Sequence, residues 1–575
     1  MKKLLAFLKP YTKETILGPL FKLLEASFEL FVPLVVAQII DVGIANGDRA
    51  FIVSRCLLLV ALGVIGLICA VTAQYFAARA AVGVTASVRH ALFHHIGTLS
   101  YADLDRHGTS TLVTRMTSDA NQVQSGINLT LRLVLRSPFV VLGAMVMAFT
   151  VDVRSALVFA VTIPLLSLVV FGIMIACLPR YKRVQERLDA ITSATRQNLT
   201  GVRVLRAFRK EPSEIEAFEQ RNASLTTQQN RVGRLSALLN PLSYAMVNLA
   251  IVVLIYVGAL QVDGGIITQG EVIALYNYMS QILVELIKLA SLIITLTKAI
   301  ACAKRLGALL EVQPSMDAPE NGATEPQSDN EAIRFDHVSM TYDGAAEAAL
   351  ENISFTAMRG EVIGVIGGTG SGKSTLVNLI PRFYDVSAGE VRVGGIPVKD
   401  WSPSALRDRI AIVPQKAVLF RGTIRENLLW GKADATDDEL MSALRAAQAE
   451  DVVLSKEGQL DAPVEQGGRN FSGGQRQRLT IARALVRKPD ILILDDSSSA
   501  LDYATDAALR RALHELEGGP TILIVSQRAT SLRHADKILV LDDGELVGMG
   551  THDELLAVCD TYREIVESQY RKESV

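Results

Sequence analysis

Six long apolar stretches fill the first half of the chain, at roughly residues 16–40, 53–78, 128–151, 155–177, 238–260 and 272–300. Each is close to the ~20 residues that an α-helix needs to cross the hydrocarbon of a bilayer. The polar segments between them alternate in length. Asp41 to Arg49, Val151-Asp152-Val153-Arg154 and the stretch around Gln261-Val-Asp-Gly-Gly-Ile are short, whereas 79–127 and 178–237 are long and helix-like. Beyond Val312 the pattern changes. Residues 312–332 are rich in Pro, Glu, Ser, Asn and Asp and read as a solvated linker. Residues 333–575 then alternate strand-like and helix-like runs, with strands expected at Ile333-Arg-Phe, Val362–Gly367, Ile410–Val413, Ile491–Leu494, Thr521–Val525 and Lys537–Leu541. The reading is therefore a multidomain protein, with an all-α six-helix membrane domain over 1–311, a linker over 312–332 and an α/β domain over 333–575.

Charge orients the spans. The two long loops carry Arg79, Arg89, Arg106 and Arg115, then Arg180, Lys182, Arg183, Arg187, Arg203, Arg206, Arg209 and Lys210, while the short loops carry little beyond Arg49 and Arg154. Positive charge stays cytoplasmic, so both long loops and the N-terminus, with Lys2 and Lys3, face the cytoplasm. Six crossings return the second half to that same side. Composition agrees: 49% hydrophobic residues and a mean hydropathy of +0.28 are high for a soluble chain of 575 residues. A net charge of −2 gives no reason to expect nucleic acid. The five cysteines are scattered without metal-ligand spacing and read as packing residues. No short apolar region with a small-residue cleavage site follows Lys2 and Lys3, so no signal peptide is expected.

The chemistry lies in the second half. Gly367-Gly368-Thr369-Gly370-Ser371-Gly372-Lys373-Ser374-Thr375 follows the apolar run Glu361–Ile366 and precedes a helix-like run. This is the G-x-x-x-x-G-K-[ST] phosphate loop in its full strand–loop–helix context. Its backbone N–H groups turn inward around a phosphate chain, and the helix N-terminus adds a field that favours anions. Lys373 reaches the outer phosphates and the Ser374 hydroxyl is placed to ligate Mg²⁺. Ile491-Leu-Ile-Leu-Asp495 is a buried-strand pattern ending in an acid, the place for a second Mg²⁺-holding carboxylate.

Phe471-Ser472-Gly473-Gly474-Gln475 resembles the signature of ATP-binding cassette (ABC) proteins, normally L-S-G-G-Q. The whole chain, six spans followed by one cassette, resembles a bacterial exporter half-transporter, and the resemblance implies ATP and Mg²⁺ as cofactors. It implies that Tyr342 stacks on adenine and that Gln415, in Val413-Pro414-Gln415, senses Mg²⁺. It implies that Ser499-Ala500-Leu501-Asp502 is the loop after the second acid, and that Glu465 lies in the exporter-specific segment facing the coupling helices. Those helices are expected at the long-loop tips, Ser100–Asp105 and Gly201–Phe208, the second reaching the partner's cassette.

Two positions depart from the family. It has Glu after the strand-ending Asp, to position the attacking water, where this chain has Asp496. It has His on the γ-phosphate where this chain has Gln527, which donates a hydrogen bond but cannot become cationic. Both fall in the site built on this chain's own phosphate loop, whereas the signature, which serves the opposite site of a head-to-tail dimer, is intact apart from Phe471. The pattern resembles the degenerate-site subunit of heterodimeric multidrug exporters. It implies a partner half-transporter with Glu and His intact and an altered signature, an amphipathic small-molecule substrate and a location in the cytoplasmic membrane. A slow homodimer, a lipid flippase and a nucleotide-gated channel share the architecture; a peptide exporter with an N-terminal peptidase domain and a DNA-repair cassette protein do not fit. Inside the spans, Lys22, Glu25 and Glu29, then Glu285 and Lys288, read in two ways. They form either a polar lining that favours cations through the glutamates, or local pairs at helical spacing.

Overall fold

The computed structural model describes residues 6–573 apart from 318, 320, 321, 329, 517 and 518, with the backbone alone for 290, 291 and 570–573. Lys2 and Lys3 lie outside the described residues. The chain divides into two compact units, Met1–Gly97 with Thr109–Val312, and Thr98–Gly108 with Gln313–Val575.

In the first unit, six helices among the described residues are long and apolar enough to cross a membrane: Lys9–Ile44, Arg49–Thr98, Thr109–Val151, Val153–Thr200, Glu211–Asp263 and Gln269–Glu311. They run for 36 to 53 residues. At ~1.5 Å per residue this exceeds a hydrocarbon layer of about 30 Å, so the two long loops are continuations of the spans as helix. The short loops are fixed by caps. The Asp152 carboxylate accepts from Ser155 N at 2.7 Å and from Gln261 Nε2 at 2.6 Å. Thr268 and Glu271 form a capping box at the start of the sixth helix, and Asp41 accepts from Thr268 Oγ1 at 2.6 Å and Gly270 N at 2.7 Å. These bonds satisfy N–H groups that a helix start leaves orphaned. Phe159, Leu166, Leu254, Leu275 and Met279 fill the core, with the Tyr278 hydroxyl donating to Leu30 O at 2.6 Å. Gly126 sits so close to the sixth helix that a Cβ there would stand 2.2 Å from the Ala299 Cβ.

Among its described residues the second unit holds three sheets. One is antiparallel, in the order β2 (Leu350–Met358), β1 (Glu331–Met340), β4 (Ala388–Val393), β5 (Ile396–Pro397). The six-stranded sheet runs β12 (Glu545–Gly550), β11 (Lys537–Asp542), β3 (Val362–Gly367), β10 (Thr521–Val525), β9 (Ile491–Asp495), β6 (Ile410–Val413). All its pairings are parallel except β11 with β12. A short ribbon joins β7 (Gly422–Thr423) and β8 (Pro463–Val464). Apart from its N-terminal strand, each strand expected from sequence lies in the six-stranded sheet. Burial of both faces made those runs continuously apolar. Register matters here: Val525 of β10 pairs with Val365 of β3 and Asp495 of β9, so the carboxyl ends of the three strands lie side by side. That edge of a parallel sheet is where ligands bind in α/β folds.

One expectation is corrected in this unit. The described residues of 312–332 do not run free as a solvated tether. Ser315 N donates to the Asp103 carboxylate at 2.9 Å, Ala323 N to Asp400 O at 2.9 Å, and Gln327 N to Gly394 O at 2.9 Å. Backbone groups that find partners on a neighbouring helix or turn lose less by ordering than polar composition alone suggests. The loop tip at Thr98–Gly108 packs as part of the second unit. Its helix Tyr101–His107 starts with a Ser100–Asp103 capping box.

Candidate nucleotide site

The loop Gly367–Gly372 leaves the end of β3 and enters the helix Lys373–Leu379. Gly372 needs its missing side chain: it sits at φ 91°, and a Cβ would meet Ala349 O at 2.5 Å. The Lys373 ammonium turns back over the loop, donating to Gly367 O at 3.1 Å, to Gly368 O, and to Ser371 Oγ at 3.3 Å. Each of these partners is a weak local substitute for a phosphate oxygen.

Around the loop is a cavity of about 300 Å³ lined by Tyr342, Thr369, Gly370, Gly372, Lys373, Ser374, Thr375, Gln415, Asp495, Asp496 and Gln527, among others. Ser374 Oγ donates to Asp495 Oδ1 at 3.1 Å, Gln415 Nε2 to Asp496 Oδ2 at 3.3 Å, and the Tyr342 hydroxyl meets Thr375 Oγ1 at 3.0 Å. Residues scattered over more than 180 positions of sequence are thus gathered at one sheet edge. Burial dominates their electrostatics. It pushes the Lys373 ammonium down against the pull of Asp496 and Asp495. It pushes both carboxyls up, against Ser374 at Asp495 and against Gln415 at Asp496. A cation that ligates oxygen would relieve the acids, and an anion would relieve the lysine. The hydroxyl and carboxylate at 3.1 Å are hard oxygen donors, the kind Mg²⁺ takes.

Asp496 has a left-handed backbone, φ 47°, with its N–H on Val525 O at 3.0 Å. Aspartate tolerates that conformation better than most residues. Gln527 lines the cavity with its side chain exposed, and its backbone carbonyl accepts from Gln569 Nε2 at 2.7 Å.

The remaining expected residues lie outside this cavity. Ser472 caps the helix Gly473–Val486: its Oγ accepts from Gln475 N at 3.2 Å, and Gln475 Oε1 accepts from Ser472 N at 2.9 Å. Ser472 and Gly473 are exposed, and Gly474 passes beneath Ala500 O. Phe471, in place of the family's Leu, is buried in the core with Leu419 and Val464. Asp502 caps the helix Tyr503–His514 through Thr505 N at 2.9 Å. Glu465 is exposed, its N–H on Asn470 Oδ1 at 3.1 Å.

Sequence reasoning missed Tyr384. Its ring stands edge-on to Tyr342 at 5.2 Å, and its hydroxyl donates to Asp105 Oδ2 at 2.7 Å. Tyr101 lies tilted against Phe383 at 4.6 Å, and Arg106 pairs with Asp343. Tyr342 and Tyr384 therefore bridge the helix Tyr101–His107 to the phosphate-loop helix. An isolated aromatic in a loop carries no periodic signal that would have revealed this.

In the membrane unit both local pairs form, Lys22–Glu25 at 2.6 Å and Lys288–Glu285 at 3.0 Å. The third span adds what periodicity could not show. Buried Arg136 bridges Glu285 at 2.5 Å and Glu29 at 2.6 Å, and Ser137 Oγ donates to Glu285 at 2.8 Å. Two cations balance two anions, so of the two readings the local pairs are present, and the glutamates of this cluster carry no net negative charge to favour cations.

Residues 15–286 match the family described as the ABC transporter transmembrane region, and residues 350–499 the one described as ABC transporter. The chain is 38% identical, over 98% of its length and 97% of the relative's, to an uncharacterised ABC transporter ATP-binding protein of Mycobacterium tuberculosis (strain ATCC 25618 / H37Rv). This chain belongs to the ABC transporter family. An uncharacterised ABC transporter ATP-binding protein of Bacillus subtilis (strain 168) is 36% identical over 100% of this chain and 99% of its own. An ATP-dependent lipid A-core flippase of Vibrio vulnificus (strain CMCP6) is 28% identical over 99% and 97%. The fold matches that of a bacterial Atm1-family ABC exporter with ATP bound, at a TM-score of 0.82 and 21% identity over 98% of this chain and 99% of that one. The protein is thus an ABC exporter half-transporter, a multi-pass cell-membrane protein whose cytoplasmic cassette binds ATP and couples its hydrolysis to transport. ABC exporters of this kind work as dimers in the bilayer.

Proposed function

We propose that this ABC exporter chain is one half of a heterodimer that exports hydrophobic or amphipathic compounds, of the multidrug type, and that its own nucleotide site hydrolyses ATP poorly. One observation carries the reading. Asp496 and Gln527 line the same cavity as Lys373, Ser374 and Asp495, while Ser472–Gln475 stand outside it and keep the family's S-G-G-Q. Both losses fall in one site and neither in the other.

In this reading the backbone of Gly367–Gly372, with Lys373 and Thr375, holds the phosphates and Tyr342 stacks on adenine. Ser374, Gln415 and Asp495 would hold Mg²⁺, which offsets charge on the outer phosphates. Asp496 and Gln527 face the γ-phosphate. Asp496 is one methylene short of the family's Glu, which withdraws the carboxylate by roughly 1.5 Å. Ser472, Gly473, Gly474, Gln475 and Asp502 serve the partner's site. The exposed apolar tip of the second long loop supports a dimer. Leu199, Val202, Val204 and Phe208 are 71%, 39%, 60% and 71% exposed on one short segment outside the membrane, and a group of exposed apolar side chains marks a contact surface where scattered single ones do not.

The test is affinity purification of the tagged chain from its native membrane. The expected result is a second half-transporter at equal stoichiometry, with Glu and His at the matching positions and a departure in its signature. Recovery of this chain alone as a homodimer overturns the reading. Lipid flipping is the second reading, because a flippase is among the relatives and the membrane unit holds a polar cavity. A basal ATPase that depends on one lipid class, without efflux of amphipathic compounds, would favour it.

A further inference from the structure

The charged cluster in the membrane unit does more than satisfy itself. Glu29 lies 12 residues from Asp41 along the first helix, and Glu285 lies 16 residues from Gln269 along the sixth. These spacings place the cluster about 18–24 Å from the short-loop ends, inside a hydrocarbon layer of about 30 Å. Side chains charged at that depth face a cavity or a partner rather than lipid.

The cluster has two layers. Arg136 and Glu285 are closed off, their side chains 8% and 5% exposed. Glu29 and Lys288 are held by them but remain open, 42% and 48% exposed. Both open charges line one cavity of about 450 Å³, together with the amides of Asn277 and Gln281 and an apolar wall that includes Val36 and Val284. Glu29 uses Oε2 on Arg136, and Lys288 donates one N–H to Glu285. An ammonium has two further N–H donors and a carboxylate a second oxygen. The carboxamide oxygen of Gln281 is buried with no hydrogen-bond partner among the described residues. The cavity therefore offers a fixed anion, a fixed cation and an apolar wall. Its charges cancel, so an amphiphile with a single charge meets one group that attracts it and one that repels it.

We infer that this cavity is the headgroup site for a zwitterionic amphiphile, with its cationic group on Glu29, its anionic group on Lys288 and its apolar part along the valine wall. The inference rests on the export reading for its biological meaning but not for its test.

The experiment uses the full-length chain, with its co-purifying subunit, in lipid nanodiscs. Three dodecyl probes share one tail-attached fluorophore and differ only in headgroup: phosphocholine, trimethylammonium and sulfate. Binding is read by anisotropy. The phosphocholine probe is expected to bind roughly tenfold tighter than either singly charged probe, as complementary pairs at a desolvated site discriminate. Glu29→Gln moves the preference to the sulfate probe and Lys288→Gln moves it to trimethylammonium. Glu29→Asp and Lys288→Arg restore the wild-type order. No headgroup preference in the wild type overturns the inference, whatever the variants do, as does an equal loss of all three probes in both variants. Failure of the export reading is seen separately, as an absence of ATP-dependent uptake into inverted vesicles.

Discussion

Replacing Asp496 by Glu tests the nucleotide site most directly, because the backbone there is held while only the reach changes. The Asp496 N–H is fixed on Val525 O at 3.0 Å, at the end of β9, and its carboxylate stands 3.3 Å from Gln415 Nε2. One added methylene advances the carboxylate by roughly 1.5 Å. Misplacement of a reacting or positioning group by about 1 Å costs on the order of 10²-fold. Asp496→Glu together with Gln527→His is therefore expected to raise turnover at this site on the order of 10²-fold, and Asp496→Glu alone by about tenfold, since Gln527 still donates a hydrogen bond. The repair has a cost. At φ 47° glutamate is less at ease than aspartate, by roughly 1 kcal/mol. For a cassette of this size that lowers Tm by about 2–4 °C. The assay is single-turnover ATP hydrolysis by the proposed heterodimer, with the Glu expected in its partner disabled so that only this site is read. Unchanged turnover in the double variant, or a wild-type rate already equal to that of the partner's site, would refute the reasoning.

Arg136→Met leaves Glu285 buried with only Lys288 and Ser137 beside it, and is expected to destabilise the membrane unit by about 3–5 kcal/mol. Pairing it with Glu285→Gln should recover much of that loss, as read by thermal unfolding in detergent. Tyr384→Phe removes the 2.7 Å bond to Asp105 but keeps the ring against Tyr342. A cost of about 1 kcal/mol in docking of the helix Tyr101–His107 is expected, with weaker stimulation of ATPase activity by transported compounds. Burial alone would raise the Asp103 carboxyl, but hydrogen bonds from Ser315 and Ser100 outweigh it and hold it below the usual 3.8. A depressed folded value gives stability that is complete above the unfolded value and lost as pH falls through the folded one. The Tm difference between wild type and Asp103→Asn should hold from neutral pH to about 5 and shrink below 3.8.

The spans, the buried parallel strands and the phosphate loop were legible because each depends on neighbours in sequence. Twenty apolar residues cross a bilayer wherever they occur. A strand buried on both faces is apolar throughout. A glycine loop between strand and helix turns through conformations that side chains disfavour, and Gly372 at φ 91° is one of them. The two-residue strands β7 and β8 were too short to be legible, and β2, β4, β5 and β12 were not legible either. Three lie in the smaller antiparallel sheet and one at an edge, with alternating or broken burial and weak local preference.

The amino-acid sequence by itself therefore determined the membrane and cassette halves, their orientation and the residue types that line the candidate nucleotide cavity, Asp496 and Gln527 among them. Tertiary structure alone decided which groups meet. Arg136 joins Glu29 and Glu285 from a third helix, Tyr384 joins Tyr342 to Asp105, and polar residues read as a tether are bonded to the cassette. The physical reason is range. Hydropathy and backbone preference act over one or two turns, whereas burial charges every unpaired polar group its full desolvation cost, so partners far apart in sequence are selected only once the chain has packed.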